Sequence, residues 1–209
     1  MAVATGIRPE PQPEYPAIKP AMMGMFIFLA SEVMFFGSLF AAYFYLYGSH
    51  LVWPPPPPSS VNEFYVNWWP IPFINTILLA SSGITCHYAA EAIAHDNRAR
   101  FFRLQVGTII LGLGFEALQV YEFITAFGRG LNLTANTFAS AFFTMTGFHG
   151  LHVLGGLVLL ALILYRASKG QFSSKHHVGV AAVTLYWHFV DVVWFFLFGI
   201  LYLGVTAFR

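Results

Sequence analysis

His149 and His152 lie in the stretch TGFHGLHVLGG, inside an otherwise apolar run over 137–165 that carries no charged side chain. Two imidazoles in such surroundings can hold a metal or a haem, relay a proton, or tie helices together. Their i, i+3 spacing puts both on one face of a helix, with Gly156 one turn further on. Acids sit in equally apolar surroundings. Glu32 falls within LASEVMFFGSLF, and Glu116 is followed at three-residue steps by Gln119 and Glu122. His188 and Asp191 share a face flanked by Trp187 and Trp194, and His87 and Glu91 form an i, i+4 pair.

These residues need elements to carry them, and composition says which. The chain is 57% hydrophobic, 18% aromatic and only 9% charged, against about 25% charged in an average soluble domain. Crossing roughly 30 Å of hydrocarbon takes about 20 residues. Runs of that length at about 22–47, 70–92, 104–127, 137–165 and 178–208 predict an all-α integral membrane bundle of five transmembrane helices. Residues 1–20, with five prolines and no apolar core, form a polar tail that does not fit a cleaved signal peptide. Residues 21–209 make a single domain. The stretch WPPPPPSS at 53–60 reads as a polyproline II loop between the first two helices, and the Asn132 sequon as chance. With one cysteine, Cys86, an internal disulfide is excluded.

Arg8, Lys19, Arg98, Arg100, Arg103, Arg166, Lys169 and Lys175 fall on one side of this arrangement, and only Arg129 and Arg209 on the other. The positive-inside rule then predicts a cytoplasmic N-terminus and an external C-terminus. A net charge of +1 with dispersed basic residues excludes a nucleic-acid footprint. Arg98, Arg100, Arg103 and Arg166 are candidates for anionic lipid headgroups.

Ionisable side chains at bilayer depth cost roughly 3 kcal/mol each on insertion scales and face the bundle interior. The simplest role for His149, His152, His188, Gln119, Trp187 and Trp194 is an inter-helix polar core, with Gly150, Gly155 and Gly156 letting backbones approach. A metal or haem site on His149 and His152, completed by Glu116 or Glu32, is the second. Against it, no Glu-x-x-His motif recurs on two helices. His176 and His177 read as a solvated cap to the fifth helix. Proton exchange is the third, with Glu32 the best candidate and Glu116 and Asp191 further buried acids; a neutral Glu32 bonded to a neighbouring helix is its structural counterpart.

The segments SEVMFFGSLFAAYFY, INTILLASSGIT, ALQVYEF, FFTMTGFHGLHVLGG and YWHFVDVVWFFLF, in this order and spacing, resemble subunit III of the haem-copper terminal oxidases. The likeness runs from about residue 21 to the C-terminus. It implies a non-catalytic subunit of an oxidoreductase complex that reduces O2 to water coupled to proton pumping. Such a subunit has no redox centre or metal of its own; haem and copper reside in partner subunits. It implies packing against subunit I, association with subunit II and other oxidase subunits, support of proton uptake and of subunit I stability, phospholipid binding in a cleft, and cytochrome c as donor to the complex. Carried over by position, the family's buried glutamate falls on Glu32, its paired histidines on His149 and His152, and its tryptophan, histidine and aspartate signature on Trp187, His188, Asp191 and Trp194. The histidines then look like ties near a buried carboxyl rather than ligands.

The mitochondrial type looks like a seven-helix subunit, and this chain matches from its third helix, as in bacterial forms of the cytoplasmic membrane. The cleft between the missing pair and the remaining five helices would then need a wall from another chain. Quinol oxidases carry a similar five-helix subunit; Glu32 and the Asn75, Thr76 pair look more like the cytochrome c branch. An independent membrane haem or metal protein built on His149 and His152 is the alternative from another class.

Overall fold

The computed structural model of the chain describes residues 19–55 and 69–207. The tail at 1–18 with Arg8, the residues 56–68 that include most of the proline run and Glu63, and Arg209 lie outside the described residues. Five helices account for nearly everything else: α1 Pro20–Gly48, α2 Ile71–Ala94, α3 Arg98–Gly128, α4 Thr137–Ser168 and α5 Val178–Leu197. The fifth continues through a π-helical segment, Phe198–Leu203, into a last turn, α6 Gly204–Ala207. Among the described residues, five helices are long and apolar enough to cross a membrane. Where no water can bond the backbone, a helix satisfies every interior N–H and C=O within the segment itself.

The helix ends follow local chemistry. Pro20 and Pro72 sit in the first turns of α1 and α2, where a missing N–H costs nothing. Asn97 caps α3 by accepting from Arg100 N at 3.1 Å, and Asn136 caps α4 by accepting from Ala139 N at 2.7 Å. The Asn97 cap starts α3 six residues before the hydropathy reading. Arg98, Arg100 and Arg103 therefore ride on the first turns of a helix rather than in a loop. Gly130 and Gly170, with φ of 85° and 73°, end α3 and α4 in the left-handed conformation that glycine reaches without strain.

α5 is the hub. It packs against α4, α2 and α1, while α2 and α3 form the closest pair. In the most apolar stretch of the fifth span, Val178–Leu203, 56% of residues are buried, against 11% in that of α1, so α1 is a stave leaning on α4 and α5. Lipid is as apolar as leucine, so helix contact rests on close packing. Trp187 shows how it is reached: its ring is fully buried in a slot between Gly112 of α3 and Gly156 of α4. A Cβ at Gly156 would stand 2.7 Å from the indole, and one at Gly112 3.0 Å. The indole N–H then donates to Ser82 Oγ on α2 at 3.0 Å. One side chain thus keys four helices.

At the end of α1 the chain is also pinned. Trp53 Nε1 donates to Tyr43 Oη at 3.0 Å, and Asn136 Nδ2 donates to the Pro55 carbonyl at 3.2 Å.

Candidate functional site: the buried polar residues

The acids and histidines within the helices gather into three groups. In the first, Glu32 of α1 meets His152 of α4, with Oε2 to Nε2 at 2.8 Å. His152 Nδ1 lies 2.7 Å from the Phe148 carbonyl one turn back, and a carbonyl only accepts, so Nδ1 carries a hydrogen. The Nε2 to Oε2 contact then holds one proton between the two atoms. Phe36 meets the imidazole edge-on at 4.9 Å between ring centres, and Phe35 stacks at 6.0 Å. Tyr186 of α5 donates to the His152 carbonyl at 2.9 Å. Glu32, His152 and Tyr186 join α1, α4 and α5.

The second group surrounds His149. Its ring is fully buried, stacked on Trp194 at 5.2 Å and met edge-on by Phe115 at 5.8 Å. Neither ring nitrogen has a hydrogen-bond partner among the described residues. Glu116 leans on α4 at Gly150, where a Cβ would stand 3.2 Å from Oε1, and its Oε2 is likewise unpartnered. Gln119 donates to Glu122 Oε2 at 3.4 Å, and Tyr202 donates to the same oxygen at 2.9 Å. Trp194 Nε1 donates to Thr76 Oγ1 at 3.0 Å, beside Asn75, which is buried with both amide atoms unpartnered.

The third group lies between α2 and α5. Asp191 is buried, with Oδ2 3.6 Å from His188 Nδ1. Its carboxyl rests so closely on Gly83 that a Cβ there would overlap it. The His87 and His188 rings are 6.0 Å apart. His87 makes no ion pair with Glu91, whose carbonyl instead accepts from His95 Nδ1 at 2.9 Å.

At the membrane edge, Asp96 ties the α2–α3 connection to the α4–α5 connection by accepting from Ser174 Oγ at 2.6 Å and Ser174 N at 2.8 Å. Those two bonds, the hydroxyl first, hold its carboxyl below the ordinary aspartate value of 3.8. Arg98 donates to the Phe172 carbonyl at 3.2 Å. Arg166 donates to Gln171 Oε1 at 2.8 Å and lies over the Phe172 ring, Arg100 lies over Tyr88, and Arg103 Nε donates to the Ala99 carbonyl at 3.4 Å. His177 is the N-cap residue of α5 but makes no side-chain cap bond; its Nδ1 turns back to the Ser173 carbonyl at 3.3 Å.

Sequence reasoning named Glu32, His152, His188, Asp191, Trp187 and Trp194, and Thr76 only for its likeness to the cytochrome c branch; it did not name the hydroxyls of Tyr186 and Ser82 that meet His152 and Trp187, nor that of Tyr202, which meets Glu122. Serine, threonine and tyrosine abound in these helices, and nothing in their spacing singles out these three. His149 and His152 share a helix but no partner. Among the described residues, no three histidine, cysteine, aspartate or glutamate side chains converge as a metal site.

The fold and these groups define a polytopic helical membrane protein in which polar side chains such as Glu32, His152, Ser82 and Trp187 bond between its own helices. A family model for cytochrome c oxidase subunit III matches residues 15–205. The chain belongs to that family. Cytochrome c oxidase subunit 3 of Thermostichus vulcanus is 41% identical over 183 residues, covering 87% of this chain and 86% of the relative. The subunit 3 proteins of Aedes aegypti and Drosophila melanogaster are 41% and 39% identical over 84% and 86% of this chain, which spans 66% and 67% of their length. With these relatives the quinol oxidase alternative is not favoured.

Proposed function

We propose that the chain acts as the non-catalytic third subunit of an aerobic terminal oxidase that takes electrons from cytochrome c. In this reading it lies in a bacterial cytoplasmic membrane with its N-terminus inside, and it sustains proton uptake by subunit I and the integrity of that subunit. Family membership and one geometric observation support the reading: the principal acid and histidine, Glu32 and His152, satisfy each other across two helices. A haem or copper ion does not fit these residues. Both His152 nitrogens are engaged, by Phe148 and Glu32, and His149 is closed in by Phe115 and Trp194. Haem and copper belong to the partner subunits.

A chain with acids and histidines but no redox centre can act on catalysis only through its neighbour, by shaping the field, water or lipid at the proton entrance. If proton delivery slows, oxygen intermediates at the catalytic centre persist and have more chances to damage it. The test is oxygen consumption over time by the complex with and without this chain, at mildly acidic and mildly alkaline pH. The expected result is an intact haem spectrum and near-normal initial turnover, followed by inactivation that is faster at alkaline pH. Identical decay at both pH values would refute it. Arg98, Arg100, Arg103 and Arg166 belong to the same reading as contacts for phospholipid headgroups at the cytoplasmic edge, and a partner chain supplies the far wall of any lipid cleft.

A further inference from the structure

Between α2 and α5 the surface opens into a groove of about 600 Å³, lined by Ala80, Gly83, His87, His188 and Asp191 and rimmed by Ile84, Val192 and Phe195. Asp191 is 7% exposed and lines this groove; its Oδ1 is sealed inside without a hydrogen-bond partner among the described residues. The other oxygen reaches His188 only at 3.6 Å. A buried acceptor left unmade is costly, most of all on an acid.

Depth decides what can supply the missing donor. Asp191 is thirteen residues from the start of the Val178–Leu203 span and twelve from its end. At 1.5 Å per residue that is roughly 20 Å from either edge. Gly83 is likewise central in α2. Lipid headgroups do not reach this level, and acyl chains that could fill the volume carry no donor. Ala80 and Gly83 leave the α2 side shallow enough for a helix to approach, as small residues do at membrane helix contacts.

We propose that the α2–α5 groove seats a transmembrane helix of another subunit, and that this helix brings an N–H or O–H donor to Asp191 Oδ2. The inference rests on the oxidase-subunit reading and adds to it the face of contact and the residue at its centre.

The test places a photoreactive benzoylphenylalanine at Val192, 52% exposed, or at Ile84, 60% exposed, in the intact complex in its native membrane. Illumination should yield an adduct with a second polypeptide whose cross-linked peptide is a membrane span. Adducts with lipid alone, or none, overturn the proposal. In parallel, Asp191→Leu should lower the fraction of the chain retained with the complex in mild detergent by about tenfold, the scale of one lost hydrogen bond to a charged group. Asp191→Asn, which keeps an acceptor at the same place, should be retained better than the leucine variant. Because leucine at 191 can disturb Gly83, Ala80→Trp serves as the second variant, filling the groove while leaving the aspartate in place; it should release the chain as well. Retention of both Asp191→Leu and Ala80→Trp at the parent level overturns the proposal. Failure of the unmodified chain to travel with a haem- and copper-containing partner would instead overturn the oxidase reading.

Discussion

His149 and His152 stand one turn apart on α4, with the same chemistry and the same apolar sequence around them, yet their settings are opposite. His152 faces α1, is partly exposed, and has both ring nitrogens bonded, to Glu32 and to Phe148. His149 faces α3 and α5, is sealed, and has neither bonded among the described residues. One contributes as a polar tie between helices. The other contributes as a flat ring packed between Phe115 and Trp194. Spacing at i, i+3 places two residues near one face, but the 60° left over from a full turn is enough to send them to different neighbours when helices pack on both sides.

Substitutions can break this contrast, and the largest effect belongs to the tie. Glu32→Leu leaves His152 Nε2 facing an apolar group and should destabilise the bundle by about 1–3 kcal/mol. Detergent or thermal unfolding of the complex measures it. The double variant Glu32→Leu, His152→Leu should lose less than the sum of the single variants; additive losses would show that the pair is not coupled.

Tyr186→Phe removes the hydroxyl that donates to the His152 carbonyl and leaves the ring. The loss should be about 0.5–1.5 kcal/mol, and it should fall on the contact between α4 and α5, readable as faster amide exchange there.

His149→Phe sharpens the comparison from the other side. A ring of similar shape without the unpaired nitrogens should change stability by less than about 1 kcal/mol in either direction, since volume-conserving core changes are tolerated best. A loss as large as that of Glu32→Leu would mean that the His149 nitrogens are bonded in the assembled complex, and the contrast between the two histidines would fail.

The smallest effect lies at the membrane edge. Asp96 has a folded-state carboxyl held below 3.8 by Ser174. Its contribution is present above that value and is lost as pH falls through the lowered folded value. Protection of the Ser174 amide, its exchange measured against that of an unstructured peptide at the same pH, should therefore be high at neutral pH and fall in strongly acidic solution, and Asp96→Asn should lower it at neutral pH as well.

Much of the architecture was legible in the residues. Five apolar runs gave five helices because a chain in hydrocarbon has no other way to bond its backbone, and Glu32, His152, His188 and Asp191 stood out because charge at that depth is costly. The α3 start was misplaced because the Asn97 cap, a local hydrogen bond, overrides a hydropathy boundary drawn at Leu104.

What the residues left open was rotation. These helices are apolar nearly all round, so no hydrophobic stripe says which face turns inward. Tertiary structure decided it through shape. Trp187 fits only where Gly112 and Gly156 stand opposite each other, and seating it fixes how α3, α4 and α5 are turned. With α4 set that way and α1 laid against it, His152 meets Glu32, and His149 meets Trp194. The sequence by itself determined that polar groups lie within the membrane and at what depth. The fit of large rings into glycine slots, which no linear spacing records, decided which of them find partners.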